Sequence, residues 1–296
     1  NTKIRKKKVK ALELFTNFMT ERKDTGRVYL MNVDNVNSHG AFLETVAPIR
    51  QSNLCCEIAL PTKPLTNIYD EEGEISLCTL SAINWGNIKE PSDFERPCRL
   101  AVRALDELLD YQNYPVKAAY ISTMNRRPLG VGIINIAYWL AKNDFKYSDD
   151  SSLSKLDEYM EAMSYYLIKA SVELAEEKGA CPYSNQTKYA QGIMPIDTRK
   201  SDIDELVAYQ ERCDWTWLRE KAKRVGIRNS TLMALMPAET SAQIANATNG
   251  IEPPRSYVSV KGSKHGQLRQ VVPEFRRLKN KYELLWDQRS PEGYLK

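Results

Sequence analysis

Apolar residues recur at steps of three and four along several parts of the chain, and the longest such stripe lies between positions 147 and 179. An α-helix brings residues with this spacing onto one face, so we predict an amphipathic helix here with its apolar face in the core. Gly179 is expected to end this helix, because glycine adopts the backbone conformation that terminates many helices. The same spacing predicts three more helices, with these stripes: Leu12, Phe15 and Met19 within residues 4–23; Val102, Leu105 and Leu109 within residues 92–113; and Leu218, Ala222 and Val225 after an N-cap at Asp214.

Shorter apolar runs predict strands between these helices. Residues 27–31 are expected to form a buried strand. A turn at residues 70–73 leads into a second predicted strand over residues 74–80, which could pair with Leu60 and the residues before the turn. Strands that alternate with helices in this way predict an α/β fold.

Residues 125–136 combine a run of isoleucines with Gly130 and Gly132. Glycines at this spacing can cradle a phosphate, but the match to a nucleotide-binding pattern is poor. We therefore interpret the two glycines as points where another part of the chain packs closely against the backbone.

Residues 50–60 place three kinds of reactive side chain at alternate positions. If this stretch is extended, Asn53, Cys55 and Glu57 lie on one face, about 7 Å apart from one to the next. An amide that orients, a sulfur that reacts and a carboxylate that moves protons make a sensible catalytic trio. The opposite face would be a packing face formed by Leu54, Cys56 and Ile58. The alternative is that Cys55 and Cys56 are ordinary packed cysteines, because free cysteine behaves as a small hydrophobe.

A second candidate site lies where an apolar, strand-like run ends at Pro237. The next residues suit the start of a helix, with Ala242 and Ile244 among its apolar positions. A helix start presents free backbone N–H groups and the positive end of the helix dipole, and Thr240 and Ser241 add hydroxyl donors. This pattern predicts an anion site. The alternative is a plain helix cap with Thr240 or Ser241 as the N-cap.

Composition narrows the function classes. The net charge of +4 over 296 residues is small for a strongly basic nucleic-acid-binding protein, and the basic residues at positions 5–10 are interpreted as a solvated helix face. No apolar run reaches the ~18 residues of a membrane span. The six cysteines form no CxxC pattern and the two histidines, His39 and His265, are scattered, so we expect no metal site and reduced thiols in a cytoplasmic protein.

Three separated stretches resemble the large subunit of aerobic (class I) ribonucleotide reductases. They are residues 51–65, which contain Asn-Leu-Cys-Cys-Glu; residues 125–135, Asn-Arg-Arg-Pro-Leu-Gly-Val-Gly-Ile-Ile-Asn; and residues 228–254, which run from Arg-Asn-Ser-Thr to Asn-Gly-Ile-Glu-Pro-Pro. They occur in the order of that family, and the resemblance runs almost from end to end of these residues. It implies part of a ten-stranded α/β barrel, with residues 51–65 as a central finger loop that carries the reactive cysteine at its tip.

The resemblance also implies roles in the reduction of ribonucleoside diphosphates to 2′-deoxyribonucleoside diphosphates. Cys55 matches the cysteine whose transient thiyl radical takes the ribose 3′ hydrogen, Glu57 the general base at the 3′ hydroxyl, and Asn53 an amide that hydrogen-bonds the ribose. Cys78, in Leu-Cys-Thr-Leu-Ser, matches one of two cysteines that supply electrons and end as a disulfide. The implied substrate-binding residues are Ser52, Pro237, Ala238, Glu239, Thr240 and Ser241, and Ala238 stands where a serine is expected.

The family also implies partners and segments beyond these 296 residues. The radical would come from a metal-containing small (beta) subunit, so no cofactor is expected within this chain. A thioredoxin- or glutaredoxin-type protein would restore the dithiol, and the full-length protein is expected to be a homodimer that binds ATP and dNTP effectors. We expect residues 1–296 to form one incomplete barrel domain, without the N-terminal nucleotide-sensing region, the partner of Cys78, the C-terminal tyrosine pair and the cysteine-bearing tail.

Two other functions stay open at this point. The adjacent Cys55 and Cys56 also resemble the cysteine pair of pyruvate formate-lyase, a glycyl-radical enzyme. The chain could also be a non-catalytic fragment or one half of a split protein that acts only with its missing pieces. Cys56 is interpreted as a packing residue, because alternation places its sulfur opposite that of Cys55.

Overall fold

The computed structural model describes residues 5–26, 28–147, 149–264 and 266–284. Within these ranges the α-helices are α1 (Ala11–Thr25), α2 (Val33–His39), α3 (Glu95–Tyr111), α4 (Lys117–Arg126), α5 (Ile136–Lys142), α6 (Asp150–Lys178), α7 (Trp215–Val225), α8 (Glu239–Ile244) and α9 (Phe275–Leu284). The strands are β1 (Thr79–Asn84), β2 (Leu129–Ile134), β3 (Val258–Ser263) and β4 (Gly266–Val271). The α/β prediction is thereby confirmed.

Strand β2 lies at the centre of the main sheet, and all six of its residues are buried. Strand β1 pairs with it in parallel, from Thr79 opposite Leu129 to Asn84 opposite Ile134. On the other side of β2, the segment 231–234 runs in the same direction, and the Val131 N–H donates to the carbonyl of Leu232 at 2.8 Å. Three parallel segments therefore meet at β2; the described residues do not close into a complete barrel. None of the helices in the described ranges is both long and apolar enough to cross a membrane.

The two glycines of β2 allow its neighbours to pack directly on the backbone, as predicted. A Cβ atom on Gly130 would lie 2.5 Å from Cδ2 of Leu80 and 3.0 Å from both Cβ of Ala234 and Sγ of Cys78. A Cβ atom on Gly132 would lie 2.7 Å from the carbonyl oxygen of Ala234. Both neighbours of β2 thus occupy the space that a side chain would need.

Helix α3 packs on this sheet, α6 packs on α3, and α7 packs on α6; the sequence predicted all three helices. Their buried residues include Leu105 and Leu109 of α3, Met163 of α6 and Leu218 of α7. Asp214 caps α7 by accepting a hydrogen bond from the N–H of Trp217 at 2.9 Å, and Gly179 follows the last residue of α6 with a φ of 89°. Apolar periodicity identified these helices because each has a core to pack against.

The predictions near the start of the chain are partly wrong. Helix α1 forms, but it has no buried residue, and Leu12 of its apolar stripe is 77% exposed. Residues 28–31 form no strand, and Tyr29 and Leu30 are exposed. Periodicity shows which face of an element is apolar but not what covers that face, and no described residue buries this one. Residue 4, Arg27 and His265 lie outside the described residues.

The predicted turn at residues 70–73 is present, although β1 starts five residues later than expected. The Asp70 carboxylate accepts hydrogen bonds from the N–H and hydroxyl of Thr66 and from the N–H groups of Glu72 and Gly73. These bonds hold the pKa of Asp70 well below its usual value. Pairing across the turn occurs between Lys63 and Glu74, rather than at Leu60.

The Gly132→Ala substitution tests the close packing on β2. We expect it to lower the free energy of unfolding by about 1–3 kcal/mol, because the added methyl group meets a backbone oxygen that cannot move cheaply. The matched control is Gly262→Ala in β3, where a Cβ would meet open space. Urea unfolding of the two variants measures the difference; equal stability of both variants would contradict the packing argument.

Candidate active site

The tip of the 50–60 loop is a tight turn and not an extended strand. The N–H of Cys56 donates to the carbonyl of Asn53 at 3.1 Å, and Cys56 has a φ of 57°, in the left-handed region. The predicted alternation of faces is therefore wrong, since a turn breaks the period of two. Leu54 is 86% exposed, and the thiols of Cys55 and Cys56 are both exposed. Cys56 does not pack as expected; of the predicted packing face only Ile58 is buried.

Ser52 and Asn53 hold this turn closed, which is a role that sequence reasoning missed. The side-chain oxygen of Asn53 accepts a hydrogen bond from the N–H of Ile58 at 3.3 Å. The hydroxyl of Ser52 donates to the carbonyl of Ile58 at 2.7 Å. Both backbone polar groups of one buried residue are thus fixed by side chains from the other arm of the loop. A serine and an asparagine next to a turn are a known signal for such contacts, because their short side chains readily bond nearby backbone.

Cys78 packs against the apolar cluster that contains Ile58 and Leu60 of the loop, and Glu57 lies near enough for its charge to act on the Cys78 thiol. Both are half-buried, and one carboxylate oxygen of Glu57 is buried without a hydrogen-bond partner among the described residues. Burial, together with the negative charge of Glu57, raises the pKa of the Cys78 thiol to about 12. The thiol is therefore protonated at neutral pH, and the nearby carboxylate has an oxygen free to accept a proton.

The second candidate site, at residues 237–241, is the first turn of α8. Ala238 precedes the helix and has no side-chain cap, so the alternative that Thr240 or Ser241 is the N-cap is wrong. Thr240 and Ser241 are the second and third helical residues, and both are exposed. The carboxylate of Glu239 forms an ion pair with Lys261 of β3 at 3.0 Å. A cavity of about 580 Å³ opens beside this turn, and Pro237, Glu239 and residues of the β3–β4 hairpin line it.

Three asparagines connect this turn to the ends of the strands. Asn135, which follows β2 with a φ of 77°, donates from its amide to the side-chain oxygen of Asn84 at 2.9 Å and accepts from the N–H of Thr248 at 2.9 Å. The side chain of Asn249 accepts from the N–H of Ala238 at 2.9 Å. Sequence reasoning missed this network. The available signal was that Asn84 and Asn135 lie at the carboxyl ends of neighbouring parallel strands, which meet at one edge of a sheet.

The two candidate sites lie towards opposite ends of the sheet. Cys78 precedes β1, whereas residues 237–241 follow the segment that runs parallel to it on the other side of β2. The Cys78 sulfur nevertheless lies over Gly130 and the Met236 side chain over Gly132, so the two sites are only a few residues apart along β2.

Sequence comparison identifies the family to which this parallel sheet and cysteine-bearing loop belong. The chain belongs to the ribonucleotide reductase family, because the model for the family described as "Ribonucleotide reductase, barrel domain" matches residues 1–290. The resemblance found in the sequence is thereby confirmed.

Named relatives extend this result. The chain is 58% identical over 295 residues to the ribonucleoside-diphosphate reductase subunit alpha of Buchnera aphidicola from Acyrthosiphon pisum, covering 100% of this chain and 39% of the relative. It is 60% identical over 292 residues to ribonucleoside-diphosphate reductase 1 subunit alpha of Salmonella typhimurium, and 58% identical over 292 residues to that of Escherichia coli K12. These two matches each cover 99% of this chain and 38% of the relative. The chain thus spans little more than a third of the length of these relatives.

The protonation of Cys78 predicts slow alkylation. At pH 8 we expect Cys78 to react with iodoacetamide on the order of 10³-fold more slowly than an unburied cysteine of ordinary pKa, because the thiolate is the nucleophile. The Glu57→Gln variant should lower the pKa of Cys78 but leave it above the ordinary value, since burial is the larger cause of the shift.

Peptide mapping by mass spectrometry across a pH series measures this rate for each cysteine in the reduced chain. The control is Glu71→Gln, which removes the same charge from the exposed 70–73 turn. Alkylation of Cys78 as fast as that of the exposed Cys55 would contradict the assignment.

Proposed function

We propose that this chain is the part of a ribonucleoside-diphosphate reductase alpha subunit in which ribonucleoside diphosphates are reduced to 2′-deoxyribonucleoside diphosphates. The family match supports the reaction class and argues against the pyruvate formate-lyase alternative. The observation that carries the proposal is that Cys78 packs against the apolar cluster containing Ile58 and Leu60 of the loop, whose tip presents Cys55 and whose Glu57 lies near enough for its charge to act on the thiol.

Each residue has a role that suits its surroundings. Cys55 is the sulfur that takes the 3′ hydrogen atom as a thiyl radical and later returns it, and its exposure on a tight turn leaves the sulfur open to substrate. Glu57 takes the proton of the 3′ hydroxyl, for which its unpartnered oxygen is suited. Asn53 and Ser52 set the shape of the turn, and we propose that they also contact the ribose.

The electrons come from thiols. The 2′ hydroxyl leaves as water, and Cys78 with a second cysteine beyond this chain supplies two electrons and two hydrogens and becomes a disulfide. The sum is ribonucleotide plus dithiol giving deoxyribonucleotide, disulfide and water. The pKa of about 12 keeps the hydrogen on Cys78 until the substrate needs it.

The α8 turn is the proposed diphosphate site. The helix start offers backbone N–H groups and the exposed hydroxyls of Thr240 and Ser241, and Pro237 and Glu239 flank it. Ala238 donates its N–H to Asn249, so this particular donor is already used. Asn249 thus fixes the turn while the donors of the residues that follow remain available.

The proposed partners follow from the family. A metal-containing small (beta) subunit would supply the radical to Cys55, and a thioredoxin- or glutaredoxin-type protein would reduce the disulfide. We also propose that the full-length protein forms a homodimer, binds ATP and dNTP effectors and works in the cytoplasm. Exposed apolar side chains on α1 and at Leu54 favour a chain that acts only together with further segments.

The first test is turnover. We expect no reduction of CDP by the 296 residues alone with a small subunit and a dithiol, and measurable dCDP when the segments found in the longer relatives are supplied. Formation of dCDP is measured by chromatography. Turnover by the 296 residues alone would contradict the expected dependence on further segments.

The second test separates the two adjacent cysteines. In the reconstituted enzyme, Cys55→Ser should reduce turnover to background, because a hydroxyl cannot replace the sulfur radical. Cys56→Ser is the matched control, since it changes a thiol that is equally exposed on the same turn, and it should retain most of the activity. Loss of turnover with Cys56→Ser alone would overturn the assignment of the radical to Cys55.

A further inference from the structure

A buried ion pair lies in the segment that precedes β1, close to Cys78 in the sequence. Glu74, four residues before Cys78, is only 2% exposed, and Arg126 at the end of α4 is 3% exposed. The Glu74 carboxylate pairs with the Arg126 guanidinium and also with the ammonium of Lys63 at 2.7 Å. The first pair is almost inaccessible to water, whereas Lys63 is half exposed.

Three parts of the chain cross at Glu74. Residues 58–63, which follow the tip of the loop, lie beside residues 74–78, which precede β1. Two backbone hydrogen bonds between Lys63 and Glu74, of 3.1 and 3.2 Å, join these two arms. The hydroxyl of Ser76 donates to the carbonyl of Pro61 at 2.5 Å, which adds a second connection between the same two arms. Arg126 connects α4 to this crossing. Its carbonyl oxygen accepts a hydrogen bond from the N–H of Ser230, the residue before segment 231–234 of the sheet.

The arms that leave this crossing are short. Glu57 is six residues before Lys63, and Cys78 is four residues after Glu74. The position of the crossing therefore controls how the carboxylate and the thiol approach each other. A buried ion pair adds little net stability, because desolvation offsets the attraction, but the loss of one partner leaves a charge that has no water around it. Such a pair is better suited to fixing geometry than to stabilising the fold.

We propose that Glu74 and Arg126 are positioning residues that hold the loop against the residues before β1, so that Cys78 stays packed against the loop. This inference concerns residues to which the sequence assigned no role. Its catalytic consequence rests on the proposed function, whereas its geometric consequence does not. In the Glu74→Gln variant the buried guanidinium of Arg126 loses its charged partner, the crossing loosens although its backbone hydrogen bonds remain, and Cys78 becomes more accessible.

Alkylation of Cys78 measures the geometry without requiring turnover. In the reduced chain at pH 8, Glu74→Gln and Arg126→Met should each raise the rate at Cys78 at least tenfold, and Glu74→Asp, which retains the charge, should restore a rate closer to that of the parent chain. Cys98 serves as an internal reporter of general unfolding, because it is fully buried between α3 and α6. Its alkylation rate should change less than twofold.

The matched control is Asp106→Asn. Asp106 is also a fully buried carboxylate paired with arginines, Arg127 and Arg228, but it lies on α3, away from the loop. The Asp106→Asn variant should leave the alkylation rate of Cys78 within twofold of the rate in the parent chain.

The double variant Glu74→Gln/Arg126→Met removes both buried charges. It should recover the thermal stability that the single variants lose, while Cys78 stays reactive.

Two results would overturn the inference. One is an unchanged alkylation rate at Cys78 in Glu74→Gln; the other is an equal rise in the rates at Cys78 and Cys98, which would indicate general loosening only.

Turnover then separates the positioning proposal from the proposed function. In the reconstituted enzyme, Glu74→Gln should lower kcat at least tenfold with little change in KM, because the α8 turn, the proposed diphosphate site, follows the opposite ends of the strands. Reactive Cys78 with unchanged kcat would support the positioning role but contradict the proposed catalytic use of Cys78.

Discussion

The structure depends on the close approach of two chain segments to the bare backbone of β2. Gly130 and Gly132 leave no side chain at these two positions of the strand, so β1 and the segment that ends in the α8 turn both pack against its main chain there. The Cys78 sulfur lies over Gly130, and the carbonyl of Ala234 and the side chain of Met236 lie over Gly132. Both candidate sites are extensions of these two segments, and their relative position is therefore determined by the packing on β2.

The sequence was a good guide wherever a pattern has a core to pack against. Helices α3, α6 and α7, the turn at Asp70 and the function of the two glycines were all predicted, because each follows from local spacing or backbone preference. The shape of the loop tip was not predicted. Its shape depends on hydrogen bonds from Ser52 and Asn53 to Ile58 and on the left-handed backbone of Cys56, and alternation along the sequence contains no information about either. The sequence thus names candidate residues for the site but does not predict their arrangement.

The residues that sequence reasoning overlooked are polar groups that connect elements, rather than groups suited to chemistry. Asn84, Asn135 and Asn249 connect strand ends to the α8 turn, and Glu74 with Arg126 connects the loop to β1. Each bond in these networks joins residues that are distant in sequence, so no local pattern marks them. They become recognisable only when parallel strands bring their ends together. A site of this kind is recognised by its reactive residues but is built by amides and buried charges.

The protonation of Cys78 also bears on how the site survives between reactions. Peroxide oxidises thiolates far more readily than thiols, and the first product, a sulfenic acid, leads on to irreversible acids. A sulfur that is buried near a carboxylate is therefore a poor target for such damage. The feature that we propose retains hydrogen for the substrate would also protect these reducing equivalents from stray oxidants.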